Sequence, residues 1–354
     1  MVTRRSQNGP DLPRCVLIPG AGGDAGIGAI KALRLAGYRG RIAATDTDPL
    51  SPGLELADAG TVVPPAASPD FFDRAIEFIH DEEVDVILPT SGFDTPVYAR
   101  HEGELRGAGV TVIGCGPYVM ETCMDKWRFY EYVRREFPVP RTYQRPPDDL
   151  EFPCFVKPVR GKGSRHVAVC RDREALAHRL REHDDLLIQE YLPGVEYTVD
   201  VLSDLDGRPL VAVPRVRLAV KEGISVRGQT IHDGEIESLC LRLAAALLLK
   251  GPVCMQLKRD RDGAPRFIEV NPRMGGGTIF AALAGVNMAA LSLALAAGRP
   301  LPPLRFSEIT VVRYFEELVL IGEDRHPRRA SIAKARARIG AHGRRDIGGR
   351  DNPT

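Results

Sequence analysis

Glu269-Val270-Asn271-Pro272-Arg273, near the end of a long apolar stretch, places a carboxylate, an amide and a guanidinium at alternate positions. If Arg266 to Arg273 is a strand, alternation sends Glu269, Asn271 and Arg273 to one face and turns Ile268 and Val270 to the core. Glu and Asn oxygens suit a hard divalent cation, and a guanidinium suits the phosphate or oxyanion that such a cation neutralises. An edge strand with a solvated polar face fits the same five residues. Partners elsewhere in the chain have to decide between the two.

Upstream, a helical pattern from Ser238 to Lys250 precedes two strands, Val253–Lys258 and Arg266–Val270, joined by an Asp260–Gly263 turn. Further upstream, Phe155-Val156-Lys157-Pro158 is followed by Gly161-Lys162-Gly163-Ser164 and a strand at His166–Cys170. Lys157 can neutralise phosphate oxygens while a loop without Cβ atoms lets backbone N–H groups approach. A plain β-hairpin with a flexible tip reads the same way. No GxxxxGK[ST] occurs, so a Walker A loop is excluded. Leu187-Ile188-Gln189-Glu190-Tyr191-Leu192-Pro193-Gly194-Val195-Glu196 reads as a strand, a turn and a strand. Its backbone can serve a planar base and Glu196 can accept ribose hydroxyls, or it is an ordinary connection.

The first 117 residues alternate strand and helix signals: strands at Cys15–Ile18, Arg41–Thr45, Val84–Leu88 and Val110–Ile113, helices near Ile27–Ala36, Asp70–His80 and Thr95–Arg106. That rhythm predicts an open parallel sheet. Its first turn, Pro19-Gly20-Ala21-Gly22-Gly23-Asp24-Ala25-Gly26-Ile27-Gly28, matches a dinucleotide loop only loosely, with Asp46 placed as a ribose ligand. A tight βα turn requiring small residues is the competing reading.

In order, Lys126, Lys157 with Gly161–Ser164, Glu190–Leu192 with Glu196, Gln256, and Glu269-x-Asn271-x-Arg273 resemble the ATP-grasp superfamily from about Met124 to Gly298. The likeness is greatest to the carbamoyl-phosphate-synthase-like branch, which includes stand-alone carboxylate–amine ligases. The resemblance implies a mixed α/β and α+β fold: a Rossmann-like pre-ATP-grasp domain at 1–117 and a two-subdomain ATP-grasp module at 118–322, its lid at about 141–190. A basic, flexible tail is expected at 323–354. By the same resemblance, Lys126 and Lys157 contact ATP phosphates, and Gly161, Gly163 and Ser164 belong to the flap over them. Glu190, Tyr191 and Leu192 form the adenine hinge and Glu196 holds the ribose. Gln256, Glu269 and Asn271 hold Mg²⁺, or Mn²⁺ in its place. Many such ligases carry an acidic residue where Gln256 stands, so this set has one negative charge fewer. Arg273, with Lys157, steadies the transferring phosphoryl group. Arg215, Arg217, Gly275 and Gly276 are candidates for the substrate, although the two arginines also fit a solvated strand face.

The resemblance implies that a carboxylate attacks the γ-phosphate of Mg-ATP and that an amine then displaces phosphate from the acylphosphate. Alternatives are carboxyphosphate chemistry on bicarbonate, a nicotinamide oxidoreductase built on the first glycine loop, and a nucleotide sensor without turnover. None of the eight histidines stands out as a nucleophile. Small-molecule carboxylate and amine substrates are expected, and a homodimer is the common assembly of the family resembled.

Bulk composition fits an ordinary soluble globular protein. The 354 residues allow two or three packed units, with 44% hydrophobic and 27% charged residues. A net charge of +1 gives no field toward nucleic acid or a membrane surface. The seven cysteines lack any CxxC pair, which suits reduced thiols and a cytoplasmic setting. The first residues lack the apolar core of a signal peptide. Phe280–Gly298, apolar but Ala-rich, is expected to be a buried core helix.

Overall fold

The computed structural model describes residues 11–161 and 166–320. Lys162, Gly163, Ser164 and the basic segment 323–354 therefore lie outside the described residues.

The N-terminal unit runs β1 (Cys15–Pro19), α1 (Asp24–Leu35), β2 (Arg41–Asp46), α2 (Pro52–Leu56), β3 (Ala59–Val62), α3 (Phe71–Asp81), β4 (Val86–Ile87), α4 (Thr95–Arg100), α5 (Glu102–Gly107) and β5 (Thr111–Val112). The strands are parallel in the order β3-β2-β1-β4-β5. β1 is apolar throughout because both faces are covered. Val16 and Ile18 pack with Ile30 and Leu33 of α1, whereas Leu17 packs with Phe71 and Ile79 of α3 and with Tyr98 of α4. Three details depart from the sequence reading, the first being the short α2, which carries no periodic apolar signal. β3, Ala59-Gly60-Thr61-Val62, lacks the bulky run that marks a buried strand, and the helix expected over Thr95–Arg106 is broken at His101.

After α6 (Pro117–Met124) and α7 (Lys126–Val133), a four-stranded antiparallel sheet is built from β6 (Thr142–Tyr143), β7 (Cys154–Pro158), β8 (Ala168–Cys170) and β9 (Leu186–Glu190), with α8 (Arg173–Glu182) packed on it. Its order is β6-β9-β7-β8. His166 is not part of β8, since its φ of 58° takes it out of extended backbone.

The third sheet comprises β10 (Glu196–Ser203), β11 (Pro209–Lys221), β12 (Ile224–Thr230), β13 (Gly251–Arg259), β14 (Pro265–Asn271) and β15 (Thr310–Val312), ordered β14-β13-β10-β11-β12-β15. α9 (Gly234–Ala246) packs on β11 and β10, starting four residues before the expected Ser238 because Asp233 caps it. β11 and β12 form a hairpin with Lys221 opposite Ile224. Its two turn residues, Glu222 and Gly223, have φ of 51° and 78°, the backbone of a type I′ turn. Glu in place of the usual Asn or Asp hid this turn, and β12 with it.

The expected single helix over Phe280–Gly298 is two helices, α10 (Thr278–Ala284) and α11 (Met288–Ala296), bent by 89°. Gly285, at φ 120°, ends the first. Asn287 caps the second, and its Nδ2 donates to the Ala32 carbonyl of α1 at 2.6 Å. The pair is buried against the N-terminal unit, as a core segment should be. No single helix among the described residues is long and apolar enough to cross a membrane.

Candidate functional site

The register of β13 with β14 sets the site. Gln256 lies opposite Glu269 but Leu257 lies opposite Phe267, so Ile268 is an extra residue in β14. This β-bulge breaks the alternation: Phe267 and Val270 are buried, while Ile268 and Glu269 are both half-buried. The core position expected for Ile268 is therefore corrected. A bulge re-aims groups that an unbroken ladder would use, and the Ile268 carbonyl accepts a hydrogen bond from Lys157 Nζ at 2.9 Å. Lys157 sits on β7, so this bond joins the four-stranded and six-stranded sheets.

Beyond the strand, the Arg273 N–H donates to the Asn271 carbonyl at 2.7 Å and turns the chain. Asn271 Nδ2 donates to Glu269 Oε1 at 2.8 Å, and Arg273 Nη2 donates to Asn271 Oδ1 at 3.2 Å. Glu269, Asn271 and Arg273 thus form one hydrogen-bonded row, although Arg273 lies past the end of β14. Gln256 is directly across from Glu269, on the same face.

Lys126 opens α7, behind the N-cap Asp125, whose carboxylate accepts from the N–H groups of Trp127 and Arg128. Its Nζ donates to the Gly161 carbonyl at 3.0 Å. Burial, and then the nearby Lys126 charge, pulls the Lys157 ammonium down to about 7, against the opposing pull of Glu269. A buried ammonium that loses its proton near neutrality is a site prepared for an incoming anion.

At the end of β9, the Glu190 N–H donates to the Arg141 carbonyl at 2.8 Å, and its carboxylate accepts from the Arg141 N–H at 3.1 Å. The Glu190 N–H and carboxylate are thus already engaged. Leu192 is buried and Tyr191 lies against the Lys258 ammonium. Glu196 begins β10, and Arg217 donates to its carboxylate. Among the described residues, the structure brings together Lys126, Lys157, Gln256, Glu269, Asn271 and Arg273 around the bulge. Glu190, Tyr191, Leu192 and Glu196 follow along the β9–β10 connection.

Arg215 is not on a solvated face. Its side chain is 3% exposed, beside the fully buried Asp200 at 3.3 Å, and Nη1 donates to Ser225 Oγ at 3.2 Å. A Cβ at Gly277 would fall 2.2 Å from its guanidinium, and one at Gly275 would fall 2.6 Å from Cys254 Sγ. These two glycines are dictated by close approach. Sequence reasoning passed over Asp200, although a carboxylate inside the apolar run Val199-Asp200-Val201 signals a buried partner.

The N-terminal unit closes the other side. β1 and β4 adjoin where the strand order reverses, so the loops after them open at the crevice where open parallel sheets bind ligands. Asp24 follows β1, and Arg313, just after β15, donates to its carboxylate at 2.9 Å and also to the Gly276 carbonyl. Burial holds the Arg313 guanidinium below its ordinary range. Gly92, after β4, faces Arg273 at a distance where a Cβ would sit 3.4 Å from Nε. Asp46 is already engaged by the Gly22 N–H at 2.7 Å and the Asp48 N–H at 3.0 Å. It ties its own loop together.

No group of three or more His, Cys, Asp or Glu side chains placed to hold a metal ion occurs among the described residues. Gln256, Glu269 and Asn271 offer one carboxylate and two amides. That set suits Mg²⁺, which is commonly held by one or two carboxylates together with substrate phosphates and water. It does not suit a tightly held resident metal.

Residues 182–317 match the family described as "ATP-grasp in the biosynthetic pathway with Ter operon", and residues 16–113 match "PylC-like, N-terminal domain". A carbamoyl phosphate synthase large chain from Gemmatimonas aurantiaca is 24% identical over 320 residues, 81% of this chain but 28% of that protein. The chain thus spans under a third of that relative's length. A D-alanine–D-alanine ligase from Clostridium perfringens is 26% identical over 256 residues, 61% of this chain and 83% of that protein. The biotin carboxylase domain of a Hydrogenobacter thermophilus 2-oxoglutarate carboxylase, solved as a dimer with MgADP and bicarbonate, superimposes with a TM-score of 0.67 at 20% identity, covering 84% of this chain and 73% of that one. An L-amino acid ligase from Bacillus licheniformis gives 0.64 at 18% identity, covering 84% and 78%. These structures share the fold. The chain is thus similar to ATP-grasp proteins in sequence over residues 182–317 and to a PylC-like N-terminal domain over residues 16–113.

Proposed function

We propose that this protein is an ATP-dependent, ADP-forming carboxylate–amine ligase acting on small amino-acid-like substrates. The observation that carries the reading is the meeting of buried Lys157 with the bulged strand whose next residues are the Glu269–Asn271–Arg273 row. Phosphoryl transfer needs positioning and charge neutralisation more than acid–base machinery. Lys157 and Lys126 serve the phosphates, Arg273 the transferring group, and Tyr191, Leu192 and Glu196 the adenine and ribose. Gln256, Glu269 and Asn271 hold Mg²⁺, which when bound shields the phosphate charges and orients them. A carboxylate oxygen bonds to the γ-phosphorus as the bond to ADP breaks. The amine then bonds to the acyl carbon and phosphate leaves. The acceptor side is formed by Gly275 and Gly276 with the loops after β1 and β4. The D-alanine–D-alanine ligase and L-amino acid ligase relatives support this substrate class.

The carbamoyl phosphate synthase relative, matched over 81% of this chain, favours carboxyphosphate formation from bicarbonate as a second reading. One assay separates them: release of ADP and phosphate over amino acids offered in pairs, with a bicarbonate-only arm. The ligase reading predicts turnover that depends on a particular pair. Turnover with bicarbonate alone supports the second reading, and no ATP turnover in any arm contradicts both.

A further inference from the structure

Arg215 and Arg217 occupy alternate positions of β11 and look toward the interior, a pattern that suggests two substrate ligands. Their contacts say otherwise. Arg215 is spent on Asp200 and Ser225, and Arg217 on Glu196, Ser225 and the Gly223 carbonyl. Ser225 Oγ, on β12, receives Arg215 Nη1 at 3.2 Å and Arg217 Nε at 3.1 Å. Asp200 in turn accepts from Thr278 Oγ1 at 2.9 Å, and that oxygen accepts from the Gly275 N–H at 2.9 Å. One unbroken hydrogen-bond chain therefore runs Glu196, Arg217, Ser225, Arg215, Asp200, Thr278, Gly275. Every intermediate side chain in it is at least nine-tenths buried. Only Glu196, with a side chain 32% exposed, opens to solvent at the nucleotide end. At the other end the Arg215 guanidinium also sets how closely Gly277 approaches.

We infer that Asp200, Arg215, Arg217 and Ser225 are positioning residues that couple nucleotide binding to the glycine loop at 275–277. The inference rests on the proposed ATP site, because it takes Glu196 as the ribose ligand. Glu196 accepts from Arg217. A ribose that hydrogen-bonds Glu196 shares the carboxylate with Arg217, and the guanidinium resettles on Ser225 and Gly223. Ser225 Oγ is the one atom to which both arginines donate, so the shift passes to Arg215 and to the loop it props. Charge is conserved along the chain: two guanidinia face two carboxylates, and no proton need move. Nucleotide binding thereby tightens the acceptor loop further, which would limit idle hydrolysis of an activated acyl group.

The test uses the full chain and MgADP as the probe, read by hydrogen exchange in two peptides. Peptide 186–192 reports the hinge, and peptide 275–284, beyond Arg273, reports the loop. In the unmodified protein MgADP slows exchange in both, the loop by about fivefold or more, the lower end of usual coupling between sites. In Ser225→Ala the hinge stays protected and the loop response disappears. Ser225→Thr, which keeps the hydroxyl, restores it. A purely structural role for Ser225 would raise loop exchange equally with and without MgADP. Hinge protection without any loop response in the unmodified protein, or a full loop response in Ser225→Ala, overturns the coupling. Absence of protection in both peptides overturns the nucleotide site as well, and the hinge peptide tells the two failures apart.

Discussion

Lys157 shows how much a single side chain states about its task. Its ammonium is enclosed, hydrogen-bonded to a neutral carbonyl and near a second lysine, so its folded-state pKa is lowered from 10.5 to about 7. Unfolded chains hold that proton up to about 10.5, so this group costs stability below about 7, and the cost is relieved as pH rises from 7 toward 10.5. A bound polyphosphate reverses the shift. ATP binding at pH 8 should therefore take up a proton, seen by calorimetry as an enthalpy that varies with the buffer's ionisation heat. ATP affinity should fall as pH rises above about 7. Lys157→Met should abolish the uptake, and a buffer-independent enthalpy in the unmodified protein would contradict this account. Arg273 carries a different expectation. Its guanidinium reaches Asn271 Oδ1 and the Met274 carbonyl beside the row. Arg273→Ala should keep ATP affinity within a few-fold and lower turnover by about 10²–10³, the usual loss for a group that acts on transition-state charge. An equal loss of binding and turnover would reassign it to ground-state binding.

At the scale of elements, what was legible followed period and punctuation. The βαβ rhythm of the first unit, the β13–β14 pair and its Asp260–Gly263 turn can be read from apolar runs bounded by Gly, Pro and Asp. What was hidden depended on contacts distant in sequence. The β-bulge at Ile268 leaves no mark in Phe267-Ile268-Glu269-Val270, yet it turns the Ile268 carbonyl to Lys157. The row Glu269, Asn271 and Arg273 was readable, and the reason β14 meets the other sheet was not. Arg215 and Arg217 could be placed on the inner face, but their partners on β10 and β12 could not. The glycine loop makes an element-scale prediction. Cys254 is buried, and a Cβ at Gly275 would meet its Sγ at 2.6 Å and its Cβ at 2.9 Å. Gly275→Ala should destabilise by about 1–3 kcal/mol through overpacking, read as a lower urea midpoint. Gly103→Ala, with no atom near its would-be Cβ, serves as the control. Equal stability of the two would mean the loop is held less tightly than its contacts imply.

Across the whole molecule, the glycine turn after β1 is tied into the N-terminal sheet and its neighbouring loop. Asp46 is consumed within its loop, and Gly20, at φ 61°, packs against Ser91 of the neighbouring loop. The contribution of the N-terminal unit is a wall: Asp24 on Arg313, Gly92 on Arg273, and Ala32 on Asn287 bring it against the glycine loop and the bent pair α10–α11. On the proposed ligase reading, domain order and the shared crevice join a carboxylate-activating end to an acceptor end. The most direct test labels the substrate carboxylate with ¹⁸O, using whichever amino-acid pair supports ADP release, and follows the label by mass spectrometry. If that carboxylate attacks the γ-phosphorus and an amine later displaces phosphate, one labelled oxygen appears in the released phosphate for each amide bond formed. Amide formation or ATP turnover that leaves the phosphate unlabelled would contradict the acylphosphate route and, with it, the ligase assignment.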